Sequence, residues 1–452
     1  MISHSTPTPW GRNFRRAALL KAALFIVCAP VAAQTGWHFV CAHAKTKGNG
    51  IVLTASSLYS ERSASGTDSK YGFDLNTVPS NFASGACSSS KPFFFSIAAR
   101  DGNYRVTLDL GGANSSVTTV RAESRRLLVD QLPIKAGGSR QIVFNVNVRT
   151  PEILTAGPAV QVQLKPREIG ALDWDHELTL EFNGEHPSVR SITIQPVGNI
   201  PTVYIAGDST VVDQTTEPWA AWGQMLPAFF GTRISVANEA ESGETIRSFV
   251  TEHRLAKIMS TIRPGDYLMI QFGHNDQKPG KGYVPAATDF TTYLMQYIAE
   301  ARSHGATPIL VTPVNRRNFD SGGKIVQTLG DYPETVREVA EHEKVPLIDL
   351  NALSKKLFEA MGEEGTLHAF VHYPANTFPS QPNELADNTH FNSYGAYELA
   401  RVIVQSIRDQ KLQLTRYLRL PIAQYEPTQP DLFSDWTLPP SPTYSMDTPY
   451  AR

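Results

Sequence analysis

"TVYIAGDSTVVD", residues 202–213, runs apolar and β-branched residues straight into the polar cluster Gly207-Asp208-Ser209-Thr210. Such residues favour strands, and a glycine that ends the run marks a turn. The stretch predicts a buried strand leaving the edge of a sheet, with the Ser209 hydroxyl lifted clear of the core. Taken alone, Gly-Asp-Ser-Thr reads as no more than a turn. The chain beyond it changes that reading. "DYLMIQF" (266–272), "TPILVT" (307–312) and "VPLIDL" (345–350) repeat the apolar run. Between them lie "ETIRSFVTEHRLAKIMSTI", "ATDFTTYLMQYIAEARSHG" and "YPETVREVAEHEK", each with apolar residues at helical spacing, and a last helix begins at Ser393. This rhythm predicts a parallel sheet covered by helices on both faces, with its site in the loops at the carboxyl ends of the strands.

Upstream the period is two. "YRVTLDL" alternates at Tyr104, Val106, Leu108 and Leu110, and "QIVFNVNV" at Ile142, Phe144, Val146 and Val148. "HELTLEF" and "SITI" do the same, with Gly, Asn and Ser clusters between the runs. Half-buried strands joined by short turns predict an all-β sandwich over residues 34–197. Tyr71, Phe73 and Trp174 are candidates for a sugar platform, although a sandwich needs such aromatics for its core. The α/β part is expected over 201–420. Residues 421–452, rich in Pro and Ser, read as an irregular tail packed through Phe433 and Trp436.

The chain has 452 residues, with 41 Lys and Arg against 43 Asp and Glu, a net charge of −2. That length suits two domains. The near balance of charge points neither to nucleic acid nor to an anionic membrane surface. Arg12, Arg15, Arg16 and Lys21 precede "AALFIVCAPVAA", the pattern of a secretory signal over residues 1–33 with cleavage after Ala33. Arg15-Arg16 also fits twin-arginine export, apart from Phe14. The apolar run is short for a membrane anchor, so the expectation is an exported protein, periplasmic or extracellular. Cleavage at Ala33 leaves Cys41 and Cys87, which an oxidising compartment permits to pair. Processing after Ala44 would instead remove Cys41. Two cysteines without well-spaced histidines do not make a zinc site, so no metal or other cofactor is expected.

The strand-end loops carry a matched set of chemical groups. Ser209 follows the first strand, Gly243 opens a helix in "SVANEAESGETIRS", and Asn275 stands past a strand tip in "FGHNDQ". Asp387 and His390 lie three residues apart in "ELADNTHFNSYGA", read as a loop before the last helix. A serine hydroxyl needs a base to take its proton, and a histidine base needs an acid to fix its tautomer. The developing oxyanion needs donors placed in advance: the Ser209 and Gly243 N–H groups and the Asn275 amide are the candidates.

These blocks, "AGDST", "NEAESG", "GHND" and "DNTH", resemble those of the SGNH (GDSL-type) hydrolases over residues 202–410. "VYIAGDST", "QFGHNDQK", "VTPVNRR" and "DNTHFNSYGA" are most similar to rhamnogalacturonan acetylesterases and related pectin-active carbohydrate esterases. The resemblance implies a flavodoxin-like α/β/α domain, no metal, and hydrolysis of acetyl esters on pectin backbones. In the glycine block Glu244 and Thr245 stand where that family leads us to expect Arg and Ser. The resemblance does not reach the β-rich half.

Substrate contacts are expected from His274, Arg316, Arg317 and His372. The two arginines suit a galacturonate carboxylate as well as they suit a solvated basic loop. Trp219 and Trp222 have helical spacing and read as packing residues. The expected partner is an acetylated pectic oligo- or polysaccharide, with no nucleic acid and no membrane anchor. Two alternatives stay open: an esterase or lipase of the same superfamily acting on another acyl ester, and an inactive carbohydrate-binding protein.

Overall fold

The computed structural model describes residues 36–42, 50–60, 70–82, 85–155, 157–378 and 381–442. The signal segment 1–33 and the processing point at Ala44 lie outside the described residues. Two mainly antiparallel sheets occupy the first half. One has the order Ile51–Leu53, Trp37–Cys41, Ser188–Pro196, Gly102–Leu110, Arg140–Val148; Cys87–Ser88 also pairs with Ser188–Pro196. The other has the order Tyr71–Asp74, Phe93–Ala98, Glu177–Glu185, Ser116–Ala122, Arg126–Ile134. Their inner faces share one core, in which Phe39 and Phe95 from opposite sheets meet edge to face at 5.0 Å. Each fully buried Phe or Leu there contributes about 1.5–3 kcal/mol. A disulfide joins Cys41 to Cys87.

The period-two reading holds along Gly102–Leu110, where Tyr104, Val106, Leu108 and Leu110 are buried and Arg105, Thr107 and Asp109 only half-buried. Arg140–Val148 departs from it. Asn145 and Asn147, on the face that alternation assigns to water, are buried as well. Asn145 Nδ2 donates to the Thr232 and Ile234 carbonyls at 2.9 and 2.7 Å, both in the second half of the chain. The sandwich thus turns its polar alternate face against the α/β half. Buried ion pairs extend this seam: Arg126 meets Asp213 at 2.5 Å and Asp173 at 3.0 Å. From Gly36 onward the chain forms one compact unit.

The second half is built on a five-stranded parallel sheet in the order Ser235–Asn238, Thr202–Gly207, Tyr267–Gln271, Thr307–Val311, Leu347–Ile348. In chain order that is 2-1-3-4-5, the flavodoxin-like arrangement, with its switch point between Thr202–Gly207 and Tyr267–Gln271. Val203, Ile205, Met269 and Ile309 pack on one side with helices Leu350–Leu367 and Ser393–Asp409. Tyr204, Ala206, Leu268 and Ile270 pack on the other with helices Arg254–Thr261, Thr291–Ser303 and Tyr332–Glu343. The α/β/α expectation therefore holds.

Three local readings change. Ser235–Asn238, read within a loop, is a strand. "ETIRSFVTEHRLAKIMSTI" forms two helices, because His253 takes a left-handed φ of 67° between them. Of "VPLIDL" only Leu347–Ile348 is strand; the Asp349 carboxylate caps helix Leu350–Leu367, which the sequence reading does not anticipate. The tail packs as expected through Phe433, stacked on His368 at 4.4 Å, and Trp436, 4.7 Å from Tyr397. It then crosses the seam, where Ser441 bonds Glu217 through its N–H and Glu181 through its hydroxyl, both at 3.0 Å.

Candidate active site

Gly207 ends its strand where any side chain would collide: a Cβ there would stand 2.7 Å from Val211 and 3.0 Å from the Gln271 carbonyl. The turn that follows is fixed by Asp208, whose Oδ1 accepts from the Thr210 N–H at 2.9 Å and the Thr210 hydroxyl at 2.8 Å. This side-chain bond to nearby backbone stands in for a regular turn bond. It leaves Ser209 just past the strand tip at the switch point, 4% exposed.

His390 meets it from the other end of the chain. Its Nε2 lies 2.8 Å from Ser209 Oγ, and its Nδ1 lies 2.7 Å from Asp387 Oδ2. Asp387 and His390 are in a strand, Leu385–Phe391, and not in a loop as the sequence suggested. That strand pairs with Phe370–Tyr373, but the register jumps between Phe370, which faces Phe391, and Val371, which faces Asp387. The irregularity leaves three residues, 388–390, to be folded over the carboxylate. Asp387 Oδ1 staples them by accepting from the N–H groups of Thr389 and His390 at 2.8 and 3.0 Å.

Burial alone would raise the Asp387 carboxyl, but the hydrogen bond and charge of His390 and the two N–H donors outweigh it and hold the group below its usual range. An ionised carboxylate only accepts, so Nδ1 carries the proton and Nε2 accepts from the Ser209 hydroxyl. The arrangement can therefore draw a proton off Ser209 while the carboxylate steadies the charge that forms on the ring.

Gly243 adopts a φ of 80°, in the left-handed region that glycine enters without strain. The Asn275 amide donates to the Glu244 carbonyl at 2.9 Å and its oxygen accepts from Lys278 Nζ at 2.7 Å, which ties it to the glycine block. The Glu241 N–H donates to the Gly207 carbonyl at 3.2 Å, joining the glycine block to the serine turn. Among the described residues, neither the Ser209 nor the Gly243 N–H finds an acceptor. Sequence reading missed Lys278, although "NDQK" places it one helical turn from Asn275.

The four residues expected to contact substrate are each engaged within the protein. His274 is 2% exposed: its Nε2 donates to the Val314 carbonyl at 3.0 Å and its Nδ1 faces Asp208 Oδ2 at 3.3 Å. Burial, only partly opposed by Asp208, pulls its pKa below the usual value. Arg316 bonds the Thr328 carbonyl and hydroxyl at 3.2 Å, and Arg317 the Glu363 carbonyl at 2.9 Å. His372 Nε2 meets Asn388 Oδ1 at 2.8 Å. Trp219 and Trp222 are buried, the latter donating to Gln271 at 3.0 Å. Phe73 lies in the sandwich core, Tyr71 is half-buried at its rim, and the ring of Trp174 is covered by the Arg149 guanidinium at 4.6 Å.

The glycine block's departure has a structural counterpart. Glu244 is buried and pairs with Lys165, Arg254 and the Ser248 hydroxyl, and Thr245 caps helix Ile246–Thr251 through the Ser248 N–H. Lys165 comes from the β-rich half, a contribution no spacing in the sequence announces.

Residues 205–396 match the GDSL-like lipase/acylhydrolase family. The chain is 44% identical over 218 residues to rhamnogalacturonan acetylesterase RhgT of Bacillus subtilis (strain 168), covering 48% of this chain and 93% of the relative. It is 30% identical over 321 residues to the uncharacterized esterase YxiM of the same organism, covering 70% of this chain and 74% of that one.

Proposed function

Because this chain belongs to the SGNH (GDSL-type) hydrolases and is a carboxylic ester hydrolase, we propose that it removes acetyl groups from pectic polysaccharide through Ser209, His390 and Asp387. The observation that carries the reading is the relay from Ser209 Oγ through His390 to Asp387, at 2.8 and 2.7 Å. His390 Nε2 takes the Ser209 proton as Oγ attacks the acetyl carbon, and the carbonyl π pair moves to oxygen. The oxyanion is met by the Ser209 and Gly243 N–H groups and the Asn275 amide. When the tetrahedral species collapses, the C–O bond to the sugar breaks and His390 returns the proton to the leaving sugar oxygen. Water, deprotonated by the same nitrogen, then attacks the acetyl-serine; the bond from the acetyl carbon to Oγ breaks, His390 gives that proton to Ser209 Oγ, and acetate leaves.

The acetyl group and the pectic backbone are proposed from the relative RhgT, whose name assigns it that substrate. Export is proposed from the basic and apolar residues before Ala33, with support from the Cys41–Cys87 disulfide. The test is acetate release from acetylated rhamnogalacturonan fragments compared with turnover of long-chain acyl esters. Acetate release at a kcat/KM at least tenfold higher than for a long-chain ester is expected. Preference for the long chain would transfer the reading to a lipase, and no turnover of either would leave a binding protein.

A further inference from the structure

An oxyanion donor works only if its N–H points at the place where charge develops, and the local turn around Gly243, closed by a long 3.3 Å bond from the Glu244 N–H to the Glu241 carbonyl, is only part of what aims it. With φ at 80° and no Cβ, the Ser242–Gly243 peptide is free of the sterics that orient other peptides. The other end of that peptide is held. A trans peptide is planar, so the Ser242 C=O and the Gly243 N–H point in opposite directions. The Ser242 oxygen accepts from two cations at once, Lys165 Nζ at 2.8 Å and the Arg167 guanidinium.

Both cations come from the short turn Pro166–Glu168 and the residue before it, 75 to 77 positions upstream of Ser242. That turn is itself rigid. Glu168 accepts from the Lys165 N–H at 2.8 Å and makes a two-pronged pair with the buried Arg254, whose Nη1 lies at 3.0 Å. Arg167 is steadied by Glu241 at 2.7 Å and Lys165 by Glu244. Two fixed charges on one carbonyl do two things. They hold the peptide's direction, and they polarise it so that the opposite N–H becomes a stronger donor.

We propose that Lys165 and Arg167 are positioning residues that aim the Gly243 N–H into the site, so that the β-rich half completes the oxyanion hole of the α/β half. This inference rests on the proposed role of Gly243 as an oxyanion donor. It gives the sandwich a task within the chain, independent of any ligand of its own.

The full chain tests it with Lys165→Met and Arg167→Met, singly and together, assayed on 4-nitrophenyl acetate and titrated with a phosphonate that mimics the tetrahedral oxyanion. The double variant is expected to lose about tenfold to hundredfold in kcat, less than a whole donor because the peptide keeps part of its population in the right direction. KM should move less than twofold, and phosphonate affinity should fall in step with kcat/KM. Lys165→Arg and Arg167→Lys should restore most of the loss, since each keeps a cation on the carbonyl. Arg167→Met alone keeps the test alive if the double variant fails to fold. Its side chain is 31% exposed, and its partner Glu241, pushed up to about 7 by burial and by Glu168, can take a proton when left alone.

A folded Met variant with kcat within twofold of the parent overturns the inference. Asn275→Ala separates the two levels. If it costs tenfold or more while the Met variants cost nothing, the positioning role alone falls. If both leave kcat unchanged, the oxyanion reading falls with it.

Discussion

Phe39, Phe95 and Phe182 fill the inside of the sandwich beside Val106, Leu108 and Ile192, while the ground between the sandwich and the parallel sheet is filled by Arg126, Arg254, Asp213 and Glu168. Both places are buried, and both are packed with large side chains. The first is stabilised by area removed from water, which any apolar group of the right size supplies. The second works only as a matched set, since each buried charge depends on a partner from a distant part of the chain. Ser209 and His390 belong to the second kind of interior, in which groups are held by hydrogen bonds to single atoms and not by bulk. Chemistry needs positions fixed in that way.

The strongest attempt to break this contrast removes one oxygen from the site. Ser209→Ala should lower kcat by about 10⁵-fold or more, by analogy with nucleophile loss in other serine hydrolases. The melting temperature should stay within about two degrees of the parent, because an oxygen leaves and no cavity of consequence opens. Steady-state assay beside calorimetry checks both. Residual turnover above about a hundredth of the parent would mean that another group attacks the ester.

A second comparison sets Arg126→Met against Phe95→Ala. Each is expected to cost about 3–5 kcal/mol, the first by leaving Asp213 and Asp173 buried without their cation and the second by opening a cavity. Their response to pH separates them. Asp213 is already pushed up to about 6 by burial with Arg126 present. Without Arg126 it rises further, so the folded chain binds a proton that the unfolded chain does not. Acidification from pH 8 to 5 should therefore return a large part of the loss in Arg126→Met and none in Phe95→Ala. Urea titrations at the two pH values measure it. Equal recovery in both variants would erase the distinction between the two kinds of interior.

The same divide marks what the sequence could tell. Period two and period 3.6 announce apolar faces, so the sandwich strands, the parallel strands and helix Ser393–Asp409 are legible from "YRVTLDL", "VYIA" and "ELARVIVQSI". Ser209, Gly243, Asn275, Asp387 and His390 are legible for a different reason, since their residue types and order spell one chemistry. Alternation fails at Asn145 and Asn147, because period two says which residues share a face but not whether that face meets water or another part of the chain. It fails for Asp387 and His390 too, whose turn is a register break inside a strand. Lys165 and Arg167 carry no local signal. A solvated basic turn and a clamp on a distant carbonyl have the same sequence, and only tertiary contact distinguishes them. Helix Leu350–Leu367 is a plainer omission, for Leu350, Leu353, Leu357 and Met361 do recur at helical spacing.

The smallest expected effect lies in the titration of the wild-type seam. Glu241 faces Arg167, Lys165, Arg254 and Glu168, and burial first, then Glu168, pushes it up to about 7. Its value in the unfolded chain is about 4.3. Between those values the folded chain holds a proton that the unfolded chain lacks, so stability falls as pH rises through this window and is gained on acidification. Asp387 and Asp208 work in the opposite sense. In each, burial is outweighed by a histidine and by hydrogen-bond donors, and the carboxyl is held below its usual range. Their contribution is present above about pH 3.9 and is lost as pH falls through the lower folded values. The melting temperature should therefore rise by about two degrees from pH 8 to 5.5 and turn down below about pH 4. Glu241→Gln should make the limb between 5.5 and 8 shallower, the remainder belonging to Asp276 and Glu252, both pushed up to about 7 chiefly by burial, and to Asp213, and should leave the acid limb alone. Superimposable curves for parent and variant would show that this carboxyl is ionised in the fold throughout, and the seam would then be a fixed set of charges with no proton to exchange.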